Sequence, residues 1–154
     1  MEFLEDNQIA EWARTVGLKV TEPFEIDLPE GETRSPIFYA DGRRSGREAA
    51  AAADLVARMG AWDHCLVWIR TWGIWASGED WPGFYSWRGA RGERRALDKA
   101  PGHLFDHREI ALLAELLTLV LENAWDAEVL CALGGRATGT YGHISHDEWY
   151  EIRG

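Results

Sequence analysis

The sequence predicts a single α+β domain in which a largely antiparallel sheet is packed by helices. Three observations predict it. Apolar residues recur with a period near 3.6 in some stretches and near 2 in others, giving the order α-β-β-α-β-β-β-α-β-β. The strand-like runs follow one another instead of alternating with helices, which disfavours a parallel sheet. Six of the nine tryptophans (Trp62, Trp68, Trp72, Trp75, Trp81 and Trp87) crowd between Ala61 and Arg88, among aromatic and β-branched residues that suit a strand. A tryptophan-rich hairpin or meander is therefore expected at the centre, under one long apolar helix and two shorter ones.

The first element is a helix over Asn7 to Val16, capped by Asp6 or Asn7, with Ile9, Trp12, Ala13 and Val16 on one stripe and a stop at Gly17. Leu18 to Thr21 starts a strand. Phe24, Ile26 and Leu28 alternate with Glu25 and Asp27 as in a half-buried edge strand, and Pro36 to Ala40 is the next strand. Ser45 and Glu48 match a capping box opening an alanine-rich helix that buries Ala52, Leu55, Val56 and Met59 and ends at Gly60. Cys65 to Trp75 reads as a long strand. Its alternation separates Leu66, Trp68, Arg70 and Trp72 from Cys65, Val67, Ile69 and Trp75, with Trp68 and Trp72 expected in the core under the apolar helix. Phe84 to Arg88 is expected to return as a strand, and Arg94 to Asp98 to complete the meander. After the break at Ala100-Pro101-Gly102 the main helix runs from His107 to Asn123, with Asp106 and Glu109 as its capping box. Glu128 to Leu133 is a buried strand, GGRATG a turn, and Tyr141 to Ile152 a last extended piece.

A chain of 154 residues buries a core without disulfides or a structural metal, and residues 1–154 read as one unit, an acidic segment 1–33 followed by a core 34–154. Net charge is −10, made of −7 in residues 1–33, +3 in 34–108 and −6 in 109–154. Acidic ends around a mildly basic middle argue against nucleic acid as a partner and favour a basic protein surface. No apolar run suggests a membrane span, and the acidic opening MEFLEDNQ lacks the features of a secretion signal, so the expected compartment is the cytoplasm. Cys65 and Cys131 stand in apolar segments without a CxxC partner, as buried free thiols do.

Chemistry-bearing residues form three groups. His103 and His107, with His143, His146 and Asp147, would make a metal-dependent hydrolase site if the two segments converged. Taken singly, neither segment is a metal site. Pro101-Gly102 places His103 outside the helix of His107, and His143 and His146 point to opposite faces of a strand. Ser145 to Glu148 also matches a capping box, which would open a short helical turn. Arg43, Arg44 and Arg47 surround a helix start, a chemically reasonable place for an anion or nucleotide. Trp81 and Tyr85, with Glu79 and Asp80, lie at the expected hairpin tip, where aromatic anchors beside carboxylates would meet a basic partner. GGRATGT lacks the GK[ST] of a phosphate loop, and no GxSxG elbow is present. Nothing calls for a cofactor.

The segments TWGIW (71–75), APGHLF (100–105), NAWD (123–126) and ISHDEW (144–149) resemble a group of small, acidic, tryptophan-rich bacterial proteins without an assigned activity. The resemblance runs from Trp62 onward. It implies a bacterial domain, and the excess of arginine over lysine, fourteen to two, is compatible with such a source. It implies no functional residue. The sequence as a whole leans away from an enzyme. It favours a protein-binding module of the immunity or inhibitor type, which occludes a toxin or enzyme; the metal-dependent hydrolase and the anion or nucleotide binder are the alternatives.

Overall fold

The computed structural model describes residues 1–21, 25–28, 46–72, 81–147 and 149–154, and the backbone of 34–36. In chain order the elements are β1 (Glu2–Leu4), α1 (Asp6–Thr15), β2 (Val20–Thr21), β3 (Glu25–Ile26), β4 (Arg34–Pro36), α2 (Glu48–Arg58), β5 (His64–Thr71), α3 (Trp81–Gly89), β6 (Gly102–Asp106), α4 (Ile110–Glu122), β7 (Asp126–Leu133), β8 (Arg136–Ser145) and β9 (Trp149–Arg153). Single 3-10 turns stand at Leu97–Lys99 and His107–Glu109. Seven strands form one sheet in the order β1-β6-β5-β7-β8-β9-β4, every neighbouring pair antiparallel, and β2 with β3 forms a separate two-stranded ribbon. The protein is an α+β domain. Among the described residues no helix is long and apolar enough to cross a membrane.

Strand alternation divides the core in two. Cys65, Val67 and Ile69 of β5, with Phe105, Ala127, Val129, Cys131 and Ile144, face α2, α3 and α4. Leu66 and Trp68 of β5, with Leu130 and Ala132, face α1 through its Ile9 and Ala13 and the following Val16 and Leu18. Leu4, Ile9, Ala13, Val16 and Leu18 of the acidic first segment thus belong to the core. Cys65 and Cys131 stand directly opposite each other on β5 and β7, their sulfurs 3.2 Å apart, and burial pushes the Cys65 thiol up. Both are free.

Several expectations hold and several are corrected. Helix α1 is capped by Glu5, not Asp6 or Asn7: the Gln8 side chain accepts from the Glu5 amide at 2.9 Å, closing a capping box. Gly17 stops this helix at φ +87°. Helix α2 starts at Glu48 with Arg47 at its cap position, making no capping bond from its side chain, and Ser45 lies outside the described residues. The capping box of Asp106 and Glu109 is present, but ahead of it Gly102–Asp106 is a strand between β1 and β5, where a break was expected. Residues 94–98 form no strand, because the Glu93 carboxylate gathers the Arg94 and Arg95 amides at 2.8 and 2.7 Å and holds the chain in a turn. The last extended piece is two strands. Ser145 Oγ accepts from the Asp147 amide at 3.2 Å, making a local turn rather than a helix start. Between β7 and β8 only Gly134-Gly135 turn, both at positive φ, as a two-residue hairpin loop requires.

The largest correction concerns Phe84 to Arg88, expected as a returning strand and found within helix α3, Trp81–Gly89. Pro82 sits in its first turn, where a missing N–H costs nothing. The spacing of Phe84, Trp87 and Arg88 then lays one stripe inward. A second correction follows in β5. Ile69 pairs with Ala127 and Thr71 with Asp126, so Arg70 is an extra residue and the strand is bulged. Trp68 faces α1, whereas Trp72, beyond the bulge, lies against Phe84 and Trp125 on the other side.

Gly102 marks the closest approach of β6 to α1. A Cβ there would stand 2.7 Å from Ile9 Cγ1, 2.8 Å from Ile9 Cδ1 and 3.1 Å from Leu4 Cβ. Gly102→Ala is expected to lower stability by roughly 1–3 kcal/mol, as overpacking does, read as a lower denaturant midpoint at unchanged slope.

Candidate functional site

Helix α3 has two unlike faces. Inward, Phe84 is fully buried, stacked on Trp87 at 5.9 Å and edge-on to Trp125 at 5.0 Å. Arg88 is also fully buried, its guanidinium 5.2 Å from the Phe3 ring and 5.8 Å from Phe84. Trp87 ties the helix to α4 by donating to Glu115 at 3.2 Å, under Arg91, which pairs with the same carboxylate. Outward, Trp81 and Tyr85 lie one turn apart, 40% and 38% exposed. Both expected anchors therefore stand on one helix face instead of a hairpin tip. Glu79 and Asp80 lie outside the described residues.

A groove of about 350 Å³ opens beside α3, lined by Asp6, Glu25, Trp68, Ile69, Arg70, Trp72, Asp98 and Pro101. Two contacts join it to the helix. Trp72 lies 5.4 Å from the Phe84 ring, and Tyr85 Oη accepts from the amide of Leu97, the neighbour of Asp98, at 3.4 Å. A larger hollow of about 580 Å³ lies near Leu104; in its lining Asp106 pairs with Arg108 at 2.8 Å and the Met1 amino group with Glu109.

The four histidines are not brought together. His103 lies fully buried on β6, and its register through Val67 and Val129 ends at Gly142, three strands and about 14 Å away. His143, next to Gly142, faces the other side of the sheet. His107 is exposed beside Asp106 at 3.3 Å. Among the described residues no group of three His, Cys, Asp or Glu is placed to hold a metal. Two histidine–carboxylate pairs instead tie β8 and the turn after it to β7. His143 Nδ1 meets Glu128 Oε1 at 2.9 Å, and His146 Nδ1 meets both Asp126 oxygens at 2.8 Å, with Asp147 at 3.5 Å from its Nε2. Trp149 lies over His143, and Arg153 bridges toward Glu128 and Glu151.

His103 has a structural place. Its Nδ1 faces the Pro101 carbonyl at 3.1 Å and must donate, since a carbonyl only accepts. Burial, together with the charge of Arg88, takes its pKa down to about 3, so the ring is neutral. Glu93 is held down to about 2, chiefly by hydrogen bonds from Arg95. The cations that follow α3 are paired one by one: Arg91 with Glu115, Arg95 with Glu5 and Glu93, and Lys99 with Asp98. Of the anion-site arginines, Arg47 adjoins α2, while Arg43 and Arg44 lie outside the described residues.

Asp126, Glu128, Arg70 and Asp98 escaped sequence reasoning because they are single charges in apolar or turn segments. Only the cross-strand register Trp68–Glu128–His143–Glu151 assembles the polar row. Fold and site together define an α+β domain with an aromatic helix face beside an acidic groove. Compared with protein-family models, curated proteins and solved structures, the chain matches none.

Proposed function

We propose that the chain is a protein-binding module of the immunity or inhibitor type, docking through the outward face of α3 on a partner with a basic surface and acting in the cytoplasm. The carrying observation is the pair Trp81 and Tyr85, exposed on one face of a helix whose other face is buried. Large aromatics so presented supply contact area at low conformational cost, and a net charge of −10 speeds encounter with a basic surface. Trp81→Ala/Tyr85→Ala is expected to weaken capture of the partner at least about tenfold, with at most a small change in thermal unfolding. Bound partner is expected to lose its own activity. Unchanged capture, or a fall in stability as large as the fall in binding, overturns the reading.

A second reading, an enzyme, is supported by the two histidine–carboxylate pairs. Each sets a carboxylate on Nδ1, and in His143 this leaves Nε2 to exchange a proton, the arrangement of a general base. It makes no use of His103 or His107. Turnover of an activated ester or phosphoester, abolished in His143→Asn, is the observation that would favour it over the first.

A further inference from the structure

We propose that the groove beside α3 receives an arginine side chain of the partner protein, its guanidinium set among Asp6, Glu25 and Asp98 and against the Trp72 indole. The inference rests on the reading of α3 as the docking face and names what the partner presents there. Charge complementarity is its first support. The groove carries three carboxylates and one guanidinium, Arg70. Among the described residues Asp6 and Glu25 have no ion-pair partner, and Asp98 has only the exposed Lys99 at 3.3 Å. Against three carboxylates Arg70 supplies one positive charge inside the hollow, so its lining stays net negative and favours an incoming cation.

The aromatic lining is the second support, and it selects the kind of cation. Arg70 already lays its guanidinium 4.2 Å over the Trp68 ring on one side of the groove. The protein thus contains one stacked guanidinium, and Trp72 offers another indole in the same hollow. A planar guanidinium stacks on an indole while its fork donates to a carboxylate, a combination that the compact ammonium of lysine lacks. A volume of about 350 Å³ accommodates a side chain rather than a folded segment. The third support is position. Tyr85 Oη accepts from the Leu97 amide, one residue before Asp98, so the docking face and the groove meet at this loop.

The test uses N-acetyl-arginine amide as a probe of the full chain, followed by the NMR shifts of the Trp68 and Trp72 indole N–H groups. Saturable movement of these signals in the millimolar range is expected, weakened about tenfold in Asp6→Asn/Asp98→Asn and reduced at high salt. N-acetyl-citrulline amide, of the same shape without the charge, is expected to leave them still. Trp81→Ala/Tyr85→Ala is expected to retain the probe while losing the partner, so the groove and the docking face fail separately. Equal movement with the citrulline or lysine amide, no movement with arginine, or full binding by the double asparagine variant overturns the proposal.

Discussion

Phe84→Ala is expected to lower the free energy of unfolding by about 3–5 kcal/mol, the cost of emptying a filled aromatic site in a core. Phe84 is fully buried and holds four rings in register: Trp72 at 5.4 Å, Trp87 at 5.9 Å, His103 at 5.9 Å and Trp125 at 5.0 Å. Its removal leaves a cavity and also strips aromatic contacts from every neighbour. Tyr85→Ala, one residue along, is expected to cost about 1 kcal/mol or less, since Tyr85 lies on the opposite face. Trp87→Ala falls between them, losing the Phe84 stack and the bond to Glu115. Urea denaturation of the three variants reads the pattern directly. A strand over these residues would set Tyr85 and Trp87 on one face and make their costs alike. Helical spacing separates them. A Phe84→Ala loss under about 1 kcal/mol would contradict the packing of α3.

The fold was legible wherever periodicity ran long enough to be unambiguous. The alanine-rich run before Gly60, the segment after Asp106 and the β-branched run from Cys65 each carry one period over several turns or residues. The misread stretch 84–88 is short and rich in aromatics, and with its flanks, WPGFYSWRG, it satisfies both templates. Strand propensity of Phe, Tyr and Trp points one way; Pro82 at a helix start and the stripe of Phe84, Trp87 and Arg88 point the other. Burial of Phe84 and Arg88 decided it, and burial is a tertiary fact. Likewise the bulge at Arg70 is written in the pairing with β7, not in the local sequence, and it moves Trp72 across the sheet.

The site was legible only in part, for a related reason. Trp81 and Tyr85 were singled out from their place at the expected hairpin tip, and both are exposed, though on a helix. Partnerships between distant strands are silent in sequence. Glu128 meets His143 fifteen positions away, and Asp98 joins Asp6 and Glu25 only because β6 inserts between β1 and β5 and carries the preceding turn with it. Histidine spacing in sequence left open whether the two segments converge. Sheet order put two intervening strands, β5 and β7, between the two segments.

Those separated histidines give the other large expectation, a loss of stability in mild acid that belongs to His103. In the unfolded chain a histidine binds its proton near pH 6.5, whereas buried His103 holds off until about 3. Between these values the unfolded state binds more protons, so stability falls as pH falls, with a slope of up to about 1.4 kcal/mol per pH unit from this one group. About 2 kcal/mol is expected to be gone at pH 5 relative to pH 7. Glu93 acts in the same direction but in a lower window. Its carboxylate, taken down to about 2 by Arg95, contributes stability that is present above 4.5 and lost as pH falls through 2. The interval from pH 6.5 to 4.5 therefore separates His103 from Glu93. His103→Gln keeps a polar side chain while removing the titration, and its denaturant stability is expected to vary less with pH across that interval, whatever its value at pH 7. Parallel curves for the two proteins would mean that His103 takes up its proton in the folded state, against burial and against the positive charge of Arg88.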